Sequence, residues 1–178
     1  MSKSSTPYVI AGASPDLFAW PELVYNGGMD ILGEGQKVDG WTSDGNPGVY
    51  IRTTEQYHTG PYSMRYTFGQ SSGIRPIAAI DSGKLVIGAT YHVSAWFRGL
   101  DINLENSYWS LAFGDNSNDI VCPGVPYSNG IWVNLQGDVV LDTVTNVRVF
   151  VHLAWPSWHP KLSGKVAYFD DVSIRRIE

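Results

Sequence analysis

Short segments rich in Val, Ile, Tyr, Phe and Trp alternate with glycine and proline along most of the chain, and helical periodicity is nearly absent. The chain has 178 residues, with 19 Gly and 10 Pro between these segments. Such punctuation is typical of an all-β domain. We predict strands at 48–54, 62–68, 74–80, 90–98, 107–113, 131–141, 146–155 and 165–176. Strands of this number and length predict an antiparallel two-sheet β-sandwich, a jelly roll.

The beginning of the chain departs from this pattern. It is rich in Ser and Pro and then continues as DLFAWPELVYNGG. We therefore predict an irregular N-terminal arm over residues 1–22, which docks elsewhere on the protein or on a partner subunit, and the sandwich over residues 23–178.

Charge and apolar patterning exclude several classes of partner. The net charge is −5, and the only adjacent basic pair is Arg175 and Arg176, whereas a nucleic-acid partner needs clustered Lys and Arg. No apolar run approaches the length of a membrane span. No segment resembles a secretory signal. The single Cys122 excludes an internal disulfide and is predicted to be a partly buried apolar residue.

Strand alternation separates side chains that face the core from those that face outward. The outward positions carry aromatic residues mixed with Arg and His. They are His92, Trp96, Arg98, Tyr108, Arg148, Phe150 and His152. Two interpretations stay open: loops or the arm cover this face, or it forms a ligand platform on the outside of one sheet.

Two further aromatic residues lie in the proline-rich stretch AWPSWHP. Trp155 and Trp158 are candidates for ligand contact, because a stiffened loop loses little entropy on binding. The alternative is that both rings fold over a sheet edge as local core.

Alternation along KVAYFDDVSIRR places Asp170 on the same face as Val166, Tyr168, Val172 and Ile174, which we interpret as the core face. A buried carboxylate needs a partner. The partner is an Arg, a set of backbone N–H groups, or a hard cation such as calcium.

Five segments in order resemble a known family. They are YNGGMD (25–30), GW (40–41), YHTGPYSMRY (57–66), GATYHVSAWFRG (88–99) and YFDDVSI (168–174). The chain resembles, over about residues 25–177, the β-sandwich carbohydrate-binding modules appended to xylanases and related glycoside hydrolases.

The resemblance implies a non-catalytic jelly roll with one structural calcium. Carried over, the ligands are Asp30, a carbonyl between Thr59 and Pro61, and Asp170. Met29 replaces the usual Phe of the first motif, and Asp30 replaces the usual Glu. The resemblance also implies that sugars stack on aromatic residues, either along one sheet or at loop ends. Trp41 and Trp132 are predicted to be packing residues.

Catalytic motifs are missing from the sequence. It contains no HExxH, no Gly-x-Ser-x-Gly and no Walker loop, and its five glutamates are few for a glycosidase. We therefore expect no enzymatic activity.

Two functions stay open. The first is glycan adhesion, with a polysaccharide or cell-surface glycan as partner. Its setting would be a virion surface, as a capsid decoration or tail component, or the extracellular space after lysis. The second is pure assembly without sugar binding, through contacts of the arm with other virion subunits. A glycan-binding module of a glycoside hydrolase is a further alternative to the virion setting.

Overall fold

A computed structural model describes residues 21–44, 49–69, 75–100, 108–116, 120–126, 130–155 and 163–178. Its ten strands are β1 (Trp41–Asp44), β2 (Val49–Thr53), β3 (Ser63–Thr67), β4 (Arg75–Ala79), β5 (Thr90–Leu100), β6 (Tyr108–Gly114), β7 (Ile120–Pro126), β8 (Val133–Val140), β9 (Arg148–Trp155) and β10 (Val166–Arg176). Two short 3₁₀ turns lie at Glu34–Gln36 and Ser82–Lys84. All eight predicted strands are confirmed; β1 and β7 were not predicted.

The strands form two five-stranded sheets, and neighbouring strands pair antiparallel. Sheet I has the order β1-β4-β9-β6-β7, and sheet II has the order β2-β3-β10-β5-β8. The predicted β-sandwich is therefore confirmed. Within the described parts of the chain, no helix has the length and apolar character needed to cross a membrane.

The core fills the space between the two sheets. Sheet II contributes Tyr91, Val93 and Phe97 from β5, and sheet I contributes Val149 and Val151 from β9; each is fully buried. The predicted alternation along these two strands is confirmed. Each strand thus has one face in the core and one face outside the sandwich.

We predicted that Tyr168 and Asp170, in the first half of β10, point into the core, and this was wrong. Ala167 and Phe169 belong to the core cluster, whereas Tyr168 and Asp170 lie opposite Arg98 and Trp96 on the outer face. The register then shifts between Asp170 and Ser173. A β-bulge adds one residue and so reverses the alternation. Val172 and Ile174 consequently point into the core again.

Residues 22–27 take the place of β3 beside the second half of β10. The pairing of β3 with β10 ends at Phe169. Beyond it, the Leu23 N–H donates to the Ile174 carbonyl at 3.0 Å, and the Val172 N–H donates to the Gly27 carbonyl at 3.0 Å. The Glu22 carboxylate also accepts the Ile174 N–H at 2.7 Å. Glu22, which we assigned to the arm, therefore packs against β10 together with the start of the sandwich. Residues 1–20 lie outside the described residues.

Candidate functional site

The structure divides the predicted platform between two opposite faces. His92, Trp96 and Arg98 lie on β5 in sheet II, whereas Arg148, Phe150 and His152 lie on β9 in sheet I. The prediction of one platform on one sheet was therefore wrong, because alternation assigns a side to a residue but not a sheet to a strand. Tyr108 and Trp155 belong to sheet I strands, but their side chains lie outside the described residues, as does all of Trp158.

The described part of the sheet I outer face offers little accessible surface. Phe150 is 4% exposed and packs with Ile77 and Ala112 in a small apolar cluster. His152 is 2% exposed and lies opposite Ser110. Of the predicted candidates on this face whose side chains are described, Arg148 alone is exposed. Among the described side chains of this face, no aromatic ring is exposed for a sugar to stack on, and this favours the interpretation that this part of the face is covered.

The outer face of sheet II is half-buried and polar. Two rows of side chains cross it, as the strand register shows. The first row contains Arg65, Tyr168 and Arg98, and the second contains Asp170, Trp96 and Asn134. Trp132 lies one residue before β8, close to where the Gly130 N–H donates to the Gly99 carbonyl at 2.7 Å. We call Arg65, Trp96, Arg98, Trp132, Asn134 and Tyr168 the sheet II surface.

The loop between β2 and β3 covers one end of this surface. The His58 ring stacks on the Trp96 ring, with centroids 3.7 Å apart and an interplanar angle of 14°. His58 Nδ1 lies 2.7 Å from Asp171 Oδ2, and Thr59 Oγ1 donates to Asp171 Oδ1 at 2.6 Å. One face of Trp96 is therefore already occupied. Trp96 supports the loop rather than offering both sides of its ring to a ligand.

Backbone N–H groups are the partners of the buried Asp170 carboxylate. Its Oδ2 accepts the N–H groups of His58 at 2.9 Å and Thr59 at 3.3 Å, and its Oδ1 accepts that of Asp171 at 2.8 Å. Burial raises the pKa of Asp170 to about 7, and this effect outweighs the N–H hydrogen bonds, which by themselves lower the pKa. The sequence left open an Arg, backbone N–H groups or a cation as the partner, and the structure shows backbone N–H groups.

Two of the implied calcium ligands lie near each other: Asp30 Oδ1 is 3.6 Å from the place that a Cβ on Gly60 would take, in the turn that would supply the carbonyl. Asp170 accepts three backbone N–H groups. Asp30 is exposed. A Cβ built on Gly28 would lie 3.5 Å from Asp30 Oδ2 and 3.9 Å from Asp171 Oδ1, so both carboxylates border Gly28. Among the residues that the structure describes, no group of three His, Cys, Asp or Glu side chains forms a metal cluster. Calcium, with a carbonyl between Thr59 and Pro61 as ligand, stays a prediction.

Three polar atoms of the sheet II surface are buried without a hydrogen-bond partner: Arg65 Nε, Arg98 Nε and Asn134 Oδ1. Arg65 Nε still has a carboxylate nearby, because Glu55 Oε2 is 3.4 Å away. The Tyr168 hydroxyl donates to the same Glu55 oxygen at 3.0 Å. Unsatisfied buried polar groups are rare in native proteins and require an explanation such as a bound ligand or water.

Sequence reasoning missed part of this surface. Arg65 and Asn134 were not proposed, although alternation along the predicted strands 62–68 and 131–141 could have placed both outside the core. Trp132 was predicted to pack like Trp41. Trp41 is buried, 4% exposed, as predicted, whereas Trp132 is half-buried and meets His58 edge-on at 5.8 Å.

A two-sheet sandwich with an aromatic and polar outer face is the architecture of a β-sandwich binding domain. Consistent with this, the chain belongs to the carbohydrate-binding domain family, whose model matches residues 21–160. A comparison with curated proteins found no match.

Several solved structures share the fold. The CBM22-1 xylan-binding domain of Paenibacillus barcinonensis Xyn10C is 16% identical, with a TM-score of 0.60, covering 82% of this chain and 90% of that one. A xylan-binding domain from CBM 22 is 18% identical, with a TM-score of 0.59, covering 81% and 90% of the two chains. The arabinose-bound α-L-arabinofuranosidase MgGH51 is 14% identical, with a TM-score of 0.62, covering 92% of this chain and 27% of that one.

Proposed function

We propose that this protein is a non-catalytic carbohydrate-binding domain that holds a glycan on the sheet II surface. Membership of the carbohydrate-binding domain family supports the class of function. The position of the site rests on one observation: Arg98 Nε and Asn134 Oδ1 are buried without hydrogen-bond partners on the outer face that Trp132 borders.

The chemistry of a sugar matches this arrangement. A sugar ring has an apolar C–H face, and its hydroxyl groups need hydrogen bonds in the plane of the ring. An aromatic side chain such as Trp132 supplies the apolar contact, and Asn134 and Arg98 supply an acceptor and donors. Among the side chains that the structure describes on the sheet I outer face, this combination is missing, because Phe150 and His152 are buried.

Xylan is the first polysaccharide to test, because two of the similar structures are named as xylan-binding domains. Both settings, a module of a glycoside hydrolase and an adhesion domain on a virion surface or released by lysis, would use the same binding face. The virion setting is a separate hypothesis, tested by searching purified particles for this chain. Assembly without sugar binding becomes the better hypothesis if the folded chain binds no glycan.

The test is affinity electrophoresis and calorimetry of the full chain against neutral and acidic polysaccharides. Trp132→Ala and Asn134→Ala should each weaken binding by about 1–3 kcal/mol, as expected for groups central to a contact. Gln136→Ala is the matched control, because Gln136 is exposed farther along the same face of β8. The proposal fails if the chain binds a glycan and neither central variant changes the affinity.

A further inference from the structure

We propose that the glycan is anionic and that Arg98 pairs with its carboxylate, as in a polysaccharide that carries uronic acid. This inference rests on the proposed function and assigns the substrate class of the same site. It starts from the arginine and histidine side chains of the sheet II outer face. Most of them lie beside a carboxylate, whereas Arg98 has none beside it among the described residues.

Two arginines and one histidine of this face have carboxylate partners. Arg65 Nε lies 3.4 Å from Glu55, Arg175 Nε lies 3.3 Å from Glu22, and His92 Nδ1 lies 2.6 Å from Asp138. Arg98, by contrast, has no ion pair with any described residue, and its Nε is buried without a hydrogen bond. A buried N–H group is costly to leave without an acceptor, and Arg98 is half-buried with no carboxylate of the described residues beside it, so we assign the missing acceptor to an external anion.

The carboxylates nearest to Arg98 in the strand register are already engaged. Tyr168, the Cα partner of Arg98, donates to Glu55, which also serves Arg65 on the far side. Asp170 lies in the next row, where three backbone N–H groups occupy its oxygens. Neither group competes with a ligand for Arg98.

The shape of the group favours a carboxylate. A guanidinium group is planar and matches the two oxygens of a carboxylate with two parallel hydrogen bonds. Arg65 and Arg98 lie on either side of Tyr168 in the strand register, about 10 Å apart at the usual strand spacing of about 4.8 Å. Because no hydrogen bond to a described residue holds the Arg98 guanidinium, it can turn toward a ligand without breaking one.

The experiment compares acidic polysaccharides with their own carboxyl-reduced forms. Glucuronoxylan, polygalacturonate and alginate, each intact and carboxyl-reduced, are titrated against the full chain, Arg98→Gln and Arg148→Gln. Arg148 is exposed on sheet I, so its variant has the same change in net charge at a distance from the site. A sulfated glycan serves as a second anion.

We expect at least one intact polysaccharide to bind about 10- to 100-fold more tightly than its reduced form, the range of a hydrogen-bonded charge pair. Arg98→Gln should remove that difference, and Arg148→Gln should keep it. Equal binding of intact and reduced forms, with loss in Asn134→Ala, would overturn the inference and leave the proposed function intact. A preference lost equally in both arginine variants, or stronger for sulfate, would also overturn it. A folded chain that binds none of the panel, xylan included, would contradict both.

Discussion

The buried Asp170 carboxylate should make the stability of this protein depend on pH in an unusual direction. Raising its pKa from 3.8 to about 7 corresponds to about 4 kcal/mol, at about 1.4 kcal/mol for each tenfold change in proton affinity. Because the folded-state pKa is the higher one, the contribution is fully present below pH 3.8 and is lost as the pH rises to about 7. Most buried carboxylates that are paired in a fold behave in the opposite way.

Asp170→Asn isolates this effect. The amide keeps an oxygen that can accept the N–H groups of His58 and Thr59, but it does not titrate. We expect the unfolding free energy of the parent, relative to the variant, to fall by about 4 kcal/mol from pH 3.8 to about 7. Urea denaturation of both proteins in chelator, followed by tryptophan fluorescence, measures this difference at each pH. The titration of all other carboxylates affects both proteins equally and drops out of the comparison.

A difference that stays constant, or that grows in the parent's favour with pH, would refute the reasoning. It would show that the three N–H bonds outweigh burial and hold the carboxylate charged. The same experiment tests calcium. A cation bound through Asp170 would stabilise the charged form and flatten the pH dependence. If calcium leaves the denaturation curve of the parent unchanged, the calcium prediction is wrong.

Two further substitutions test how the surface is supported. Trp96→Ala should lower the free energy of unfolding by about 1–3 kcal/mol, since it removes the ring on which His58 stacks; an unchanged unfolding midpoint with weaker glycan binding would instead make Trp96 part of the platform. Gly27→Ala should destabilise by about 2–3 kcal/mol, because its Cβ would collide with the Val172 carbonyl oxygen. Gly28→Ala is the neighbouring control, where the nearest atom is 3.5 Å away; equal losses in both variants would contradict the clash.

Local sequence patterns predicted much of the fold. The eight predicted strands and the faces of β5 and β9 follow from alternation, which depends only on neighbouring residues. The two unpredicted strands are a four-residue edge strand, β1, and β7, which contains two prolines. Both lie at the edges of sheet I. Neither has the apolar length or regularity that signals a strand by itself.

The sequence by itself determined the sandwich, the family resemblance and the need of Asp170 for a partner. The tertiary structure alone decided which sheet each outward residue belongs to, because strand order depends on contacts between distant segments. It separated Arg98 from Phe150 and brought Arg98 beside Tyr168. It also turned Asp170 outward, through a bulge whose single extra residue alternation cannot detect. The proposed binding surface is assembled from four strands, so it becomes visible only once those strands are paired.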